Sequence, residues 1–139
     1  MAKRKLNKNR IPIKSPQDIK EMRVATETAS EILQATAKFI KAGKTTMEVD
    51  LYAAELIKER NCISAFLGYR GFPGNICISP NEEVVHGIGS DRVIKDGDII
   101  SIDVGVVKNG WIGDNATTVP VGDVDKEVRR LLAVTEQSL

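Results

Sequence analysis

The sequence predicts an α+β domain in which helices pack on one face of a curved, mostly antiparallel sheet. Two long stretches with apolar residues three and four positions apart come first and predict helices. After residue 62, glycines and prolines divide the chain into short apolar runs, and an Asn-Gly pair between two of them predicts a β-hairpin. A further helical pattern ends the chain. Its 139 residues suffice for one domain with its own hydrophobic core.

The first helix is predicted to span residues 16–42. Ser15 is a typical N-cap, and Pro16 follows at the first helical position, where its missing N–H is not needed. Lysines and then Gly43 mark the end of the segment, as expected for a helix C-terminus. The residues that recur at three- and four-residue steps define its buried face: Ile19, Met22, Ala25, Ala29, Ile32, Thr36 and Phe39 or Ile40.

The second helix is predicted to begin after Thr45, which fits a capping box with Glu48, and to end near Asn61. The last segment, residues 123–139, is also predicted to be helical. One face of this helix would carry Val128, Leu131, Leu132 and Thr135. Because the helical pattern reaches the last residue without a cap, a glycine or a proline, we expect a truncation at this point.

The apolar runs between these helices are short. Residues 75–79 (NICIS) and 83–88 (EVVHGI) are predicted to be strands or strand edges. Asp96-Gly97 predicts a turn before a further strand, and Asn109-Gly110 is a dipeptide typical of the tight turn of a hairpin.

The composition is that of a soluble globular protein, with 42% hydrophobic and 28% charged residues. The net charge of +1 provides no overall field that favours DNA or a membrane surface. Residues 1–14 are predicted to be a basic, flexible arm, and residues 15–139 the folded domain. Five of the 20 lysines and arginines lie in the first ten positions. The arm is either a solvated tail or a contact for RNA or an acidic partner.

The sequence has no recognisable secretory signal and no apolar run of membrane-spanning length. Cys62 and Cys77 are therefore expected to be reduced thiols rather than a disulfide. With one histidine in the chain, they cannot complete a structural zinc site of four ligands. These observations predict a cytoplasmic protein.

Two aspartates lie inside the predicted hairpin, where carboxylates are poorly placed unless something compensates them. If Asn109-Gly110 is the two-residue loop, Asp103 pairs with Ala116 on the opposite strand. Asp114 then pairs with Gly105. Both acids therefore lie on one face of the sheet as diagonal neighbours, roughly 7–8 Å apart.

Two interpretations of these acids remain open. In the first, they hold a divalent metal or act in acid–base chemistry, since two like charges at this spacing repel unless a cation neutralises them. In the second, they are polar residues of a solvated sheet face. Val107 and Ile112 share that face and favour the first interpretation, because they indicate that apolar side chains surround the acids.

His86 and several aromatic residues are further candidates. His86 precedes two glycines near a turn, where loop residues often contact ligands, although a structural role is the alternative. Phe66, Tyr69 and Phe72 follow one another three residues apart among glycines, and Trp111 lies in the hairpin. These rings either fill the core and turns or line an apolar pocket.

Several spaced motifs together resemble those of the type I methionine aminopeptidases. They are Gly-Tyr-x-Gly-Phe-Pro, Asn-Glu-x-Val-x-His-Gly-Ile, Asp-Gly-Asp, and Ile-Asp-Val with Gly-Asp eleven residues on. Each motif alone is a weak signal, but their order along one chain is specific. The resemblance extends from about residue 13 to the end of the sequence.

This resemblance implies a pita-bread fold with an internal pseudo-two-fold. It also implies two divalent metal ions, of the Co, Mn, Fe, Zn or Ni class, held by two Asp, one His and two Glu. Asp103 and Asp114 match the two Asp ligands, and His86 matches a histidine that contacts the substrate near the scissile amide. Tyr69, Phe72 and Cys77 match positions that line the implied pocket for the initiator methionine. Phe66 falls beside them, and Trp111 matches a position that is also near the site.

The implied reaction is removal of the initiator methionine from nascent polypeptides. The metals would activate a water and polarise the scissile carbonyl, and a carboxylate would take the proton. The alternative is a non-catalytic module of the same fold that recognises peptide N-termini, or the ribosome through the basic arm. A proline-directed peptidase is disfavoured, because such relatives usually carry a large additional N-terminal domain.

Three departures from the family pattern matter. Gly89 stands where many relatives have proline, and Phe66 stands where relatives often have cysteine. The other three ligands are missing, since no histidine follows His86, and Glu127 and Glu136 lie in the last helical segment. We therefore expect the chain to be the N-terminal half of the enzyme, incomplete at its C-terminus and dependent on the missing C-terminal half for activity.

Overall fold

Two helices precede a small antiparallel sheet, and a third helix follows it. The structure is a computed structural model that describes residues 11–139. The helices are α1 (Pro16–Phe39), α2 (Thr46–Glu59) and α3 (Lys126–Gln137), and the strands are β1 (Ile63–Ser64), β2 (Cys77–Pro80), β3 (Ile99–Lys108) and β4 (Trp111–Pro120). A single 3-10 turn, Tyr69–Gly71, lies between β1 and β2. The predicted α+β class is confirmed.

Reciprocal capping boxes begin α1 and α2, as the sequence predicts. The Ser15 hydroxyl accepts a hydrogen bond of 3.2 Å from the Asp18 amide, and the Asp18 carboxylate accepts one of 2.8 Å from the Ser15 amide. Thr45 and Glu48 repeat this exchange at 3.1 and 2.8 Å. Each box satisfies two amides that would otherwise lack a partner at the helix N-terminus.

The two long helices end at residues that leave the helical conformation. α1 ends three residues before the predicted position, because Ile40 adopts an extended backbone and buries its side chain in the core. α2 ends close to the predicted stop, where Asn61 has a φ of 53°. A left-handed residue at this position is a common helix terminator.

The sheet is built around β3. β4 pairs with β3 over its whole length, and β1 and β2 pair with other parts of β3. Asn109 and Gly110, with φ of 52° and 81°, connect β3 to β4, so Lys108 pairs with Trp111. The hairpin register predicted from this two-residue turn is confirmed.

One face of the sheet packs against α1 and α2 and forms the core. The β3 side chains on this face are at most 1% exposed: Ile100, Ile102, Val104 and Val106. The helices contribute Ala29, Ile32, Val49, Ala53 and Ile57. The other face of the hairpin is therefore free to carry polar side chains.

The segment from residue 83 to 88 forms no strand, which corrects the prediction. Val84 and Val85 are 85% and 65% exposed, so burial does not alternate as it would on a half-buried strand. The φ of His86 is 60°, which lies outside the extended region. The chain instead forms a loop after β2.

α3 forms as predicted but packs loosely on the rest of the domain. Val128 and Leu132 are half-buried, while Leu131 is 59% exposed. Across residues 11–139, the structure contains no helix that is both long and apolar enough to span a membrane. Most of the predicted basic arm, residues 1–10, lies outside the described range.

The α2 capping box predicts a measurable contribution to stability. Thr45→Ala should lower the free energy of unfolding by about 1 kcal/mol, because the Glu48 amide loses its side-chain acceptor. Urea unfolding followed by circular dichroism measures this change. Thr45→Ser keeps the hydroxyl and should stay within about 0.5 kcal/mol of wild type. Equal stability of wild type and the alanine variant would contradict the capping role.

Candidate functional site

The hairpin places Asp103 and Asp114 on the sheet face opposite the helices. Asp103 pairs with Ala116, and Asp114 pairs with Gly105, so the two acids are diagonal neighbours as predicted. On the other side of β3, Cys77 pairs with Asp103. Because paired residues share a face, the thiol and the two carboxylates lie together on it.

The two carboxylates differ in their exposure to solvent. Asp103 is half-buried, and its Oδ1 is a buried acceptor without a hydrogen-bond partner in the described part of the chain. Asp114 is exposed, as is Ile112 at 58% on the same face. The expectation that Val107 and Ile112 enclose both acids is therefore wrong for Asp114, and the site is open to water on the β4 side.

Burial and mutual repulsion shift the ionisation of this cluster. The pKa of the Asp103 carboxyl is raised to about 6, first by desolvation and then by the charge of Asp114 and a side-chain hydrogen bond to it, while His86 acts in the opposite direction. Burial, followed by the nearby carboxylates, raises the pKa of the Cys77 thiol to about 11. The thiol is therefore uncharged at neutral pH.

Phe66 lies directly on the acid-bearing face of the sheet. A Cβ atom at Gly105 would collide with the Phe66 ring, so glycine at this position lets the ring approach the strand. Gly105 is also the residue that pairs with Asp114. The ring therefore forms an apolar boundary beside the acids.

A pocket of about 540 Å³ borders the acid pair. It is lined by Phe66, Tyr69, Arg70, Gly71, Phe72, Pro73, Cys77, His86 and Ile88. Cys77 connects the pocket to the acids, because it lines the pocket and pairs with Asp103. The structure thus brings together His86 and four predicted pocket residues, in a volume typical of small-ligand sites.

A hydrogen-bonded loop supplies the aromatic wall of this pocket. The Gly68 amide donates to the Phe72 carbonyl at 2.8 Å, and the Tyr69 amide donates to the Phe66 carbonyl at 2.8 Å. The Arg70 guanidinium lies 5.5 Å from the centre of the Tyr69 ring, within cation–π distance. Arg70 also has a left-handed φ of 50°, a conformation that non-glycine residues seldom adopt.

The loop after β2 folds back along this strand and brings His86 to the pocket. The Gly87 carbonyl accepts from the Ile78 amide at 2.9 Å, and the Gly87 amide donates to the Ser79 hydroxyl at 3.0 Å. A Cβ atom at Gly87 would collide with the Ile78 carbonyl, so this close return requires glycine. His86 is exposed and left-handed, and such backbone strain is concentrated at functional sites.

Trp111 does not lie with the other candidates. It pairs with Lys108 and so shares the helix-covered face with Val106 and Gly113. Its indole N–H donates to the Glu21 carboxylate of α1 at 2.7 Å. The expectation that Trp111 lies near the site is corrected by this placement.

Four pocket residues were not singled out from the sequence. Gly71, Pro73 and Ile88 belong to the same motifs as the predicted pocket residues, so the motifs could have indicated them. Arg70 occupies the variable position of Gly-Tyr-x-Gly-Phe-Pro, and no pattern in the sequence indicates its place on the pocket wall.

The side chains present fit part of a metal site. Carboxylate oxygens are ligands of hard and borderline divalent ions, and the unpartnered Oδ1 of Asp103 beside Asp114 is suited to this role. Within residues 11–139, no cluster of three or more His, Cys, Asp or Glu side chains could hold an ion. Glu127 and Glu136 are exposed on α3. Asp103 and Asp114 are therefore the two candidate ligands in the described part of the chain.

The cysteines are not part of a disulfide. Cys62 and Cys77 are both free and buried. They lie on separate parts of the structure, Cys62 in the core beside the helices and Cys77 at the pocket.

Comparison with known proteins gives a match over most of the chain. Residues 20–139 match the model of metallopeptidase family M24. Methionine aminopeptidase 1 of Bacillus subtilis is 48% identical over 126 residues, which are 91% of this chain and 51% of that protein. The chain thus spans about half the length of the curated relatives it matches.

Two solved structures share this fold. The methionine aminopeptidase of Rickettsia prowazekii superposes with a TM-score of 0.89 at 39% identity, and the methionine aminopeptidase of Thermotoga maritima with 0.87 at 40% identity. Each match covers 91% of this chain and 51% of the other chain. The predicted pita-bread fold is confirmed.

The raised pKa of Asp103 predicts a pH-dependent stability. An unfolded aspartate titrates near pH ~4, so between about pH 4 and pH 6 the folded state binds more protons than the unfolded state. The Asp103 contribution to the free energy of unfolding therefore decreases as the pH rises through this window. Asp103→Asn removes the titration, so its stability relative to wild type should increase from about pH 4 to pH 7.

Urea unfolding in the presence of EDTA measures this difference at each pH. Asp125→Asn removes the carboxylate of an exposed residue. Its free energy of unfolding should differ from that of wild type by a nearly constant amount across this pH range. If the difference in free energy of unfolding between Asp103→Asn and wild type does not change with pH, the raised pKa of Asp103 is contradicted.

Proposed function

The chain belongs to metallopeptidase family M24, and we propose that it forms part of a metal-dependent aminopeptidase that removes an N-terminal methionine from peptides. Membership of this family implies divalent metal ions. The observation that carries the proposal is the position of Asp103 and Asp114 at the border of an apolar pocket. Such a reaction requires metal ligands next to a pocket that binds the side chain of the substrate.

The pocket suits an unbranched apolar side chain. Its walls are mainly aromatic and aliphatic, and the thioether of methionine makes favourable contacts with aromatic rings such as Tyr69 and Phe72. The raised pKa of Cys77 keeps its thiol neutral, so this wall presents no charge to the substrate. We propose that the pocket binds the side chain of the N-terminal methionine.

Asp103 and Asp114 are proposed to hold two divalent metal ions of the Co, Mn, Fe, Zn or Ni class. When bound, such ions act as Lewis acids towards the scissile carbonyl and lower the pKa of a water molecule. Oδ1 of Asp103 is the oxygen already free of other partners, so it can serve as a ligand without breaking a hydrogen bond. Asp114 presents its carboxylate from the exposed side of the same face.

His86 is proposed to contact the substrate peptide near the scissile amide. It lines the pocket and lies close enough to Asp103 to affect the pKa of that carboxyl. Its backbone is left-handed, with a φ of 60°. An imidazole at this position can donate a hydrogen bond to a peptide carbonyl or accept one from the amide.

The remaining ligands are proposed to come from the part of the relatives that these 139 residues do not cover. Two carboxylates are fewer ligands than a stable metal site needs, and the matched relatives are about twice as long. We propose peptide N-termini as substrates and the cytoplasm as the location, since the free thiols of Cys62 and Cys77 suit a reducing compartment. The predicted ribosome contact involves residues 1–10, which lie outside the residues that the structure describes.

Calorimetric titration with Mn(II) tests the metal role in a chimera in which residues 20–139 replace the matching segment of the Bacillus subtilis relative, which supplies the proposed remaining ligands. Asp103→Asn should weaken Mn(II) binding by at least about tenfold. Loss of a residue that only hydrogen-bonds to a metal ligand already weakens metal binding by about this factor. Asp125→Asn removes one charge away from the site and should bind Mn(II) as wild type does. Equal Mn(II) affinity of Asp103→Asn and wild type would contradict the assignment of Asp103 as a ligand.

The same chimera tests the catalytic role. Release of free methionine from Met-Ala-Ser is measured with Mn(II) or Co(II). The chimera should release methionine, and Asp103→Asn within it should lower kcat by at least about a hundredfold, because metal-supplied charge stabilisation is worth several kcal/mol.

The same chimera with Asp125→Asn should retain its activity. A folded chimera that binds Met-Ala-Ser but releases no methionine would favour a non-catalytic binding module instead. Activity that survives Asp103→Asn would contradict the proposed site.

A further inference from the structure

Asp50 is a buried carboxylate on α2, with 4% of its surface exposed. Its Oδ1 accepts hydrogen bonds from the Asn75 amide at 2.8 Å and the Ile76 amide at 3.0 Å, and its Oδ2 accepts one from Asn75 Nδ2 at 2.7 Å. None of the ion pairs within residues 11–139 includes Asp50. Its charge is therefore stabilised by N–H donors of one short segment, and such charge-assisted bonds are strong.

These bonds fix the segment that leads into β2. Asn75 and Ile76 directly precede Cys77, and Pro73 lies two residues before Asn75. Both Pro73 and Cys77 line the pocket. Asp50 thus determines where this wall of the pocket lies relative to α2.

The hydrogen bonds continue from Asn75 to the aromatic loop. The Asn75 carbonyl accepts from the Ser64 hydroxyl at 2.6 Å. The same hydroxyl oxygen accepts from the amides of Phe66 and Leu67, each at 3.0 Å. The start of the loop that carries Phe66 and Tyr69 is therefore connected to Asp50 through two residues.

A third segment of the pocket packs on Asp50 through Gly89. A Cβ atom at Gly89 would lie 3.0 Å from Cβ of Asp50 and 3.2 Å from the carbonyl of Thr46, so the chain passes close to α2 here. His86 and Ile88, which line the pocket, lie on the same loop. Two of the three segments that form the pocket thus contact Asp50 directly, and the aromatic loop is connected to it through Asn75 and Ser64.

We propose that Asp50 is a positioning residue that sets the spacing of the pocket walls and so determines the affinity for the side chain that enters the pocket. The inference rests on the proposed function, because it takes methionine as that side chain. Asp50 does not itself line the pocket. It acts through Asn75, Ser64 and the Gly89 loop.

NMR titration of the full 139-residue chain with Met-Ala-Ser and with Ala-Ala-Ser tests this inference. Wild type should bind the methionine peptide more tightly. Asp50→Asn should lower that affinity by about tenfold, since its amide group would face the N–H donors of Asn75 or Ile76. Affinity for the alanine peptide, which leaves the pocket empty, should stay within about twofold of wild type, and a general loss of structure would not produce this split.

Two further variants separate positioning from a simple loss of charge. Asp50→Asn combined with Asn75→Asp reverses the polarity of the side-chain hydrogen bond and should restore part of the preference for methionine. Glu55→Gln removes an exposed charge from the same helix and should have no effect. An equal loss of preference in Glu55→Gln would overturn the inference.

The outcomes distinguish the inference from the proposed function. Full methionine preference in a folded Asp50→Asn variant overturns the inference and leaves the proposed function intact. Absence of any methionine preference in wild type overturns both. If Asp50→Asn does not fold, Ser64→Ala breaks the same connection without touching Asp50 and should reduce the methionine affinity by about threefold. Unchanged affinity in that variant overturns the inference.

Discussion

The alternation of side chains along the β3–β4 hairpin is the constraint on which the rest of the site depends. A two-residue turn at Asn109-Gly110 fixes which residues of the two strands are paired. Ile102 and Val104 then lie under the helices, and Asp103 and Asp114 lie on the other face. A shift by one residue would exchange the two sets, so burial of the apolar core also holds the carboxylates in place.

Local signals made this part of the structure predictable. The capping boxes at Ser15 and Thr45 and the Asn-Gly turn are each formed by residues within four positions of one another, so their sequence determines their geometry. The same alternation should have excluded Trp111, because it lies three positions before Asp114 along β4 and side chains an odd number of positions apart point to opposite faces. Its assignment to the site came from family resemblance, and here the register was the better guide.

Tertiary contacts explain the features that the sequence did not reveal. Val84 and Val85 look like part of a strand, but the return of the chain at Gly87 depends on its fit against Ile78, which no local pattern records. Asp50 looks like one of the acids of an amphipathic helix, yet its hydrogen-bond partners are 25 and 26 residues away. The exposure of Asp114 likewise depends on what covers β4 in three dimensions.

The carboxylates and the pocket walls are therefore held in place by different interactions. The carboxylates stand on the central strand and its neighbour, where backbone pairing and a buried core leave little freedom. Apart from Cys77 on β2, the pocket walls belong to loops, which have no such ladder and are held by the hydrogen bonds of Asp50, Asn75 and Ser64. Because loops tolerate substitution better than core strands, selectivity for the bound side chain can change while the carboxylate geometry remains fixed.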